Sequence, residues 1–341
     1  MELIDLDPVR AWMDGVGLGG GPIVDAAALG GGTQNIMVRF VRDGRTYVLR
    51  RGPKHLRPTS NGSMRREIRV LTALAPTDVR HPRIIAACDD EAVLDGAVFY
   101  LMEPVDGFNP GAEMPPVYAA DASMRHALGL SAVDAAVVLG RQDHEALGLT
   151  DLGKLEGYLE RQVSRWLREL DSYSTMPGYG GPEIPGLEPV AAWLEANRPA
   201  SFEPGLTHGD YHLANIMFRR DVPEVAAIVD WEMCTVGDPL LDLGWLIATS
   251  PDGADFGTSS VLGAAGGLPT PDELVRRYAE QSTRDLSVMP WYVVLACFKL
   301  GIILEGTHAR AAAGKAPKDI GDMLHASTLG LFARARRRAG V

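Results

Sequence analysis

Cysteine is scarce in this chain. Cys88, Cys234 and Cys297 are the only three in 341 residues. They are odd in number and far apart, and no two have metal-ligand spacing. That argues against a disulfide framework or a cysteine–zinc site and fits a reducing cytoplasm. Positive charge is also in deficit, with 33 Lys and Arg against 44 Asp and Glu and a formal net charge of −11. The basic face of a nucleic-acid binder is therefore not expected. Long apolar runs are missing too. The most hydrophobic stretch, WYVVLACFKLGIILEG (291–306), carries Lys299 at its middle. A spanning helix needs about 20 apolar residues, so a buried helix is expected here and no membrane partner. The N-terminal MELIDLDPVR is acidic and has no basic-then-apolar leader pattern.

What is present is ordinary soluble composition, 46% hydrophobic and 23% charged. The length favours two lobes over one core. NIMVRFV and RTYVLRR alternate in apolar character around the turn signal RDG, which predicts a hairpin preceded by the Gly-rich turn GGGTQN (30–35). SMRREIRVLTALA (63–75) has helical spacing at Met64, Ile68, Leu71 and Ala75, with Ser63 or Asn61 as the expected cap. RIIAAC and AVFYLME read as two further strands. From Val117 onward the pattern is helical around 121–147, 152–171 and 187–197, with a Gly/Pro-rich loop at 174–186. A short strand-rich island runs from THGDYHLANIMF to EVAAIVDWEM. Helices then resume at 240–249, 271–284, 291–313 and 318–339. The predicted fold is α+β and bilobal. A small antiparallel N-lobe with one helix (1–104) joins a larger helical C-lobe (105–341) through MEPVDGFNP (102–110).

THGDYHLANIMF, residues 207–218, concentrates polar chemistry. His208, Asp210 and His212 alternate, so on an extended strand they would share a side, as in a metal-dependent hydrolase. The other six histidines are isolated and offer no partner motif. A second reading takes Asp210, Asn215 and Asp230. Phosphoryl transfer with Mg²⁺ needs a carboxylate facing an acceptor hydroxyl, and an amide oxygen and a second carboxylate to hold the ion. A hairpin bringing Asn215 beside Asp230 would meet that need.

The rest of a nucleotide site can be read upstream. Gly31, Gly32, Thr33 and Asn35 form a turn whose backbone N–H groups can approach phosphates. Arg50 closes the strand TYVLR on the side of Val48, where it can project a cation toward phosphates. Glu67, seventeen residues on, can pair with Arg50 and aim it. AVFYLMEPV supplies an apolar wall for the base. Pro104 has no N–H, so the Glu103 carbonyl and the Val105 N–H are expected to bind the base edge.

In this order, H-G-D-x-x-x-x-N, I-V-D-W-E and G-D-P-L-L-D-L-G-W-L resemble the aminoglycoside phosphotransferase/choline kinase family. YVLRRGP, FYLMEPVDG and GYLERQVSRW add a likeness to the kinase-like domains related to acyl-CoA dehydrogenase fusion proteins. The resemblance runs from about residue 25 to about 250. It implies ATP (or GTP) and Mg²⁺ as cofactors and a small-molecule hydroxyl acceptor. The acceptor class could be an aminoglycoside, a choline-like alcohol, a sugar or a hydroxyacyl compound. It further implies Asp210 as catalytic base, Asn215 and Asp230 as Mg²⁺ ligands, Arg50 on phosphates and Glu67 fixing Arg50. Asp242 and His208 would brace the catalytic loop, and His212 would belong to the cleft or the scaffold. Arg50 departs from the broader family, which has Lys there; the acyl-CoA-dehydrogenase-related subgroup often has Arg. Trp231 and Glu232 stand where protein kinases have Phe-Gly. The alternatives are a non-catalytic kinase-like nucleotide binder and the metal hydrolase.

Overall fold

The structure is a computed structural model describing residues 4–30, 35–251 and 261–341. It opens with helix α1 (Asp7–Gly15) and strands β1 (Val24–Ala28), β2 (Ile36–Arg42) and β3 (Arg45–Arg51). Helix α2 (Ser60–Leu74) and strands β4 (Ile84–Cys88) and β5 (Phe99–Met102) follow. The five strands form one antiparallel sheet in the order β1-β2-β3-β5-β4. Asp43 and Gly44, both at positive φ, make the β2–β3 turn.

Strand alternation sorts the sheet into two faces. Tyr47 and Leu49 of β3, with Phe99 and Leu101 of β5, join Val9 and Met13 of α1 in a small outer core. Val48, Tyr100 and Met102 face the other way, into a core shared with α2 and the helical lobe. Arg50 lies on that inner face, paired across the ladder with Tyr100.

The N-lobe thus has two helices where one was expected. Helix α1 begins with Pro in its first turn and buries Val9 and Met13 at a four-residue step. Fully buried Arg42 fastens it by an ion pair with Asp14 and by bonds to the Arg10, Leu18 and Gly21 carbonyls. The expected cap of α2 is also corrected. Thr59 precedes the helix and no side chain caps it. Asn61 instead bonds the Gly96 carbonyl (2.8 Å) and the Val98 N–H (3.0 Å), tying the helix to the approach of β5.

Beyond β5 come α3 (Pro116–Ala120), α4 (Ala122–Gly140), α5 (Arg161–Ser172) and α6 (Leu187–Ala196). Two short antiparallel pairs then interleave: β6 (Gly205–Thr207) with β9 (Thr235–Gly237), and β7 (Ile216–Phe218) with β8 (Val225–Ile228). Helices α7 (Leu240–Thr249), α8 (Val261–Ala265), α9 (Pro271–Ala279), α10 (Met289–Ala312) and α11 (Lys318–Ala339) complete the chain. By length and composition, α4 and the helical run ending in α10 could cross a membrane. In the fold α10 is the central helix of the lobe, buried along most of its length and packed on α7 and α11. The three cysteines are free and buried.

Candidate active site

Residues 208–212 do not continue a strand. β6 ends at Thr207, and Gly209 at φ +86° turns the chain. A Cβ at Gly209 would stand 2.5 Å from the Met233 carbonyl oxygen, so the turn requires glycine for both space and φ. The two histidines therefore do not share a side. His208 is fully buried; its Nε2 bonds the Val229 carbonyl (2.9 Å), and its Nδ1 accepts from the Asp210 N–H at 3.4 Å. With both ring nitrogens turned to backbone, His208 has no free ligand atom, and the hydrolase geometry is not formed.

Asp242, in the first turn of α7, lies beneath the loop. Its two oxygens accept from the His208 N–H (2.6 Å) and the Gly209 N–H (3.0 Å). Burial pushes its pKa up, against the opposing pull of His208, those two N–H groups and Lys299. Asp210 emerges from this braced turn. His212 Nε2 stands 3.4 Å from its Oδ1, and the Asn215 amide donates to its Oδ2 (2.9 Å) and its carbonyl (3.0 Å). Burial would raise the Asp210 pKa, but His212, His208 and Asn215 outweigh it and hold the carboxyl below the usual range.

The β7–β8 hairpin brings the third member into place. Ile216 pairs with Ile228, and the Val229 N–H bonds the Asn215 carbonyl (2.9 Å), so Asn215 sits beside the residue before Asp230. Asp230 itself holds a left-handed backbone, φ 67° and ψ 62°. That conformation is uncommon for a residue with a side chain and concentrates at functional sites. Its carboxylate is 39% exposed and takes the Arg50 guanidinium at 2.6 Å.

Arg50 bridges two carboxylates. Its Nε donates to Glu67 Oε2 (3.0 Å) while its Nη2 holds Asp230. Burial would lower its pKa, yet the carboxylates of Glu67 and Asp230 raise it, so the guanidinium stays charged. Buried Glu67 also accepts from the Trp231 N–H (3.2 Å). Its pKa is raised by desolvation and opposed by Arg50. Arg66 and Arg69 hold α2 in register: Arg66 bonds the Cys234 and Leu152 carbonyls, and Arg69 bonds Asp151 and the Gly148 carbonyl.

Gly31, Gly32 and Thr33 lie outside the described residues. Asn35 is described, and its amide reaches Glu232 Oε2 at 3.4 Å. Asn35, Glu67 and Glu232 line a polar cavity of about 180 Å³ with Pro53, Arg57, Ser60 and Ser63. Glu103 and Val105 are not among its walls. The Glu103 N–H donates to the Arg83 carbonyl (2.9 Å), and its side chain takes Arg45. A second cavity of about 570 Å³ lies on the C-lobe side, reached by His212 and walled by Leu213, Leu262, Leu300, Leu304, Met323 and Leu324. Among the described residues no Asp, Glu, Lys or Arg lines it. Sequence reasoning missed this groove because its walls come from α10 and α11, whose leucines look like ordinary core. Met323 on α11, one of its walls, is left 55% exposed, which only the structure reveals.

A model of the phosphotransferase enzyme family matches residues 25–281. The chain belongs to this family. As a phosphotransferase-family member it is 31% identical over 296 residues to acyl-CoA dehydrogenase family member 11 of Gallus gallus. That match takes in 84% of this chain and 36% of that protein. The chain thus spans only about a quarter to a third of the length of the curated relatives it matches. Among solved structures it is similar to a protein of Ralstonia eutropha classed with the aminoglycoside phosphotransferases, at TM-score 0.77 and 28% identity over 98% of this chain and 99% of that one. It shares its fold, at TM-score 0.62 and 12% identity, with aminoglycoside phosphotransferase APH(4)-Ia in a ternary complex with ADP and hygromycin B; 97% of this chain and 98% of that one are covered. The bilobal α+β kinase-like fold is that of these neighbours.

Proposed function

We propose that the chain is an ATP- and Mg²⁺-dependent phosphotransferase acting on a small-molecule hydroxyl, with hydroxyacyl compounds as the acceptor class. The reading is carried by one chain of contacts: Asn215 bonds Asp210, the hairpin sets Asn215 beside the residue before Asp230, and Asp230 pairs with Arg50, which Glu67 holds. The donor set fits magnesium. Asn215 turns its N–H group toward Asp210, leaving Oδ1 as its metal-facing atom, and Asp230 offers a part-exposed carboxylate; both are hard oxygens. Bound Mg²⁺ with ATP supplies the transferable phosphoryl group and neutralises its charge.

The chain's own groups do the positioning. Arg50, held charged by two carboxylates, contacts phosphate oxygens. Asn35, a wall of the polar cavity, faces them from the N-lobe. The Glu103 carbonyl and Val105 N–H bind the base edge. Asp210 is ionised at neutral pH and accepts or orients the acceptor hydroxyl proton, with His212 and Asn215 fixing its carboxylate. Asp242 and His208 keep the loop in place through its backbone.

The groove supports the acceptor class. A polycationic aminoglycoside would meet no carboxylate among the described walls, whereas an acyl chain would bury apolar surface against the leucines. The test is ADP release and phosphorylated product, measured with hydroxy fatty acids, hydroxyacyl thioesters, sugars, choline and aminoglycosides. Wild type is run beside Asp210→Asn. Turnover on hydroxyacyl compounds that vanishes in the variant supports the reading. Equal turnover in both removes Asp210 from its role. Nucleotide binding without turnover on any acceptor favours a non-catalytic binder.

A further inference from the structure

Away from this site, α10 and α11 bring a second polar constellation together. Each helix carries an acidic residue three positions before a histidine: Glu305-x-x-His308 on α10 and Asp322-x-x-His325 on α11. Three-residue spacing puts both members on one helix face, and the tight 313–317 turn folds the two helices back to back. Gly321 permits the approach at this level. A Cβ there would stand 2.4 Å from the Ala311 Cβ and 3.5 Å from the His308 Cα. One ligand atom each from Glu305, His308 and His325 lies within 4.8 Å of the other two. Asp322 Oδ1 is 3.8 Å from His308 Nδ1.

We propose that these four side chains form a divalent transition-metal site, suited to zinc, that staples the α10–α11 hairpin. Glu305 is fully buried, and a lone carboxylate there needs a strong partner. Its Oε2 meets His325 Nδ1 at 2.7 Å, and its Oε1 accepts from the Tyr179 hydroxyl at 2.7 Å. That hydroxyl orients the carboxylate as an outer-shell partner does in metal sites. His308 Nδ1 is buried with no hydrogen-bond partner, so a donor atom is left over inside the cluster. Two carboxylates and two neutral imidazoles balance a dication, and a mixed His/carboxylate set of four is a closed zinc coordination shell.

Closure asks for modest movement. The His308 and His325 rings stack at 4.5 Å between centroids, so the His308 ring must turn to aim its lone pair inward. The Glu305–His325 pair must open by roughly half an ångström to admit bonds of about 2.0–2.1 Å. Asp322 must leave Lys318, its neighbour one turn back. The metal takes the place of the Glu305–His325 hydrogen bond, with the His325 hydrogen carried on Nε2. The site adjoins the groove through Leu304 and Leu324, which directly precede Glu305 and His325.

The test uses the full chain, equilibrated with Zn²⁺ and then desalted in excess Mg²⁺ to keep the Asn215–Asp230 pair occupied by magnesium. Elemental analysis is expected to find about one zinc per chain in wild type and in Asp230→Ala, and close to none in His308→Ala or His325→Gln. Because His308 Nδ1 makes no hydrogen bond, His308→Ala is expected to fold, which circular dichroism checks. Zn²⁺ should raise the wild-type melting temperature by a few degrees and leave His308→Ala unmoved. Zinc lost in Asp230→Ala but kept in His308→Ala overturns the proposal, as does wild type that retains none.

Discussion

Asp210 shows how much one side chain's chemistry depends on its neighbours. Buried and alone, the carboxyl would be protonated more readily than in water. His212, His208 and Asn215 reverse that and hold its pKa below the usual range. The sign follows directly. In the role proposed for Asp210 the working form is the carboxylate, so turnover should persist through mildly acidic pH and be lost only as pH falls through the depressed pKa. In a kcat/KM profile, His212→Ala should move the acid limb to higher pH, whereas Asp210→Asn should lower turnover by about 10²–10⁴-fold with nucleotide binding retained. An unmoved limb in His212→Ala would show that His212 does not tune Asp210. Lys299 offers a contrasting case. Burial, with Arg165 nearby, lowers its pKa from 10.5 to about 8, and its ammonium sits over the Trp166 and Trp245 rings at 5.3 and 5.1 Å. Between those pH values the unfolded chain binds more protons, so the burial penalty fades as pH rises. Lys299→Met should therefore stabilise the protein at pH 7 by about 1–3 kcal/mol. Denaturant titrations should show that advantage shrinking above about pH 8.

At the scale of elements, the readable segments are those whose period matches their burial. Helix α7 was expected at 240–249 and is found there, and α10 and α11 shift by at most two residues, because each presents a continuous apolar face to the lobe. Where irregular backbone is buried, the period misleads. The helical pattern at 121–147 outruns α4, which stops at Gly140, and that at 152–171 begins well before α5. Leu149 and Leu152 are buried from turns and so imitate the next steps of a helix. The candidate site residues were read from compact motifs. Asn215 bonds Asp210, and one hairpin sets Asn215 beside the residue before Asp230. The support from α2 was only half legible: Glu67 could be paired with Arg50 by spacing, but nothing local indicates that the adjacent Arg66 reaches the Cys234 and Leu152 carbonyls. Those bonds fix α2 against the segment following Asp230 and the turn ending at Leu152. Arg66→Ala should cost about 1–3 kcal/mol in chemical denaturation and lower turnover by loosening the Glu67–Arg50–Asp230 chain. Loss of stability with unchanged kcat would separate the brace from the chemistry.

For the whole molecule, the two lobes divide the labour by polarity. The N-lobe face and the β7–β8 hairpin collect the charged groups Arg50, Glu67, Asp230 and Glu232, of which Glu67 and Glu232 line a small polar cavity. The C-lobe helices give an apolar groove that reaches His212, and so comes within one side chain of Asp210. A phosphotransferase needs both: phosphates must meet fixed charges, and the acceptor must be held so that only its hydroxyl reaches the base. The segregation makes the two half-sites separable by mutation. Leu304 and Leu324 line the groove from α10 and α11 and belong to neither the charged cluster nor the catalytic loop. Shortening either to Ala removes apolar wall without adding charge, and should raise KM for a long-chain hydroxyacyl acceptor several-fold, at ~0.8 kcal/mol per methylene left unburied. KM for ATP should not change, since no atom near Arg50 or Asp230 is altered. A short hydroxy acid that cannot reach the leucines should be affected far less. If long and short acceptors lose equally, the groove does not hold the acyl chain, and the acceptor approaches Asp210 by another path.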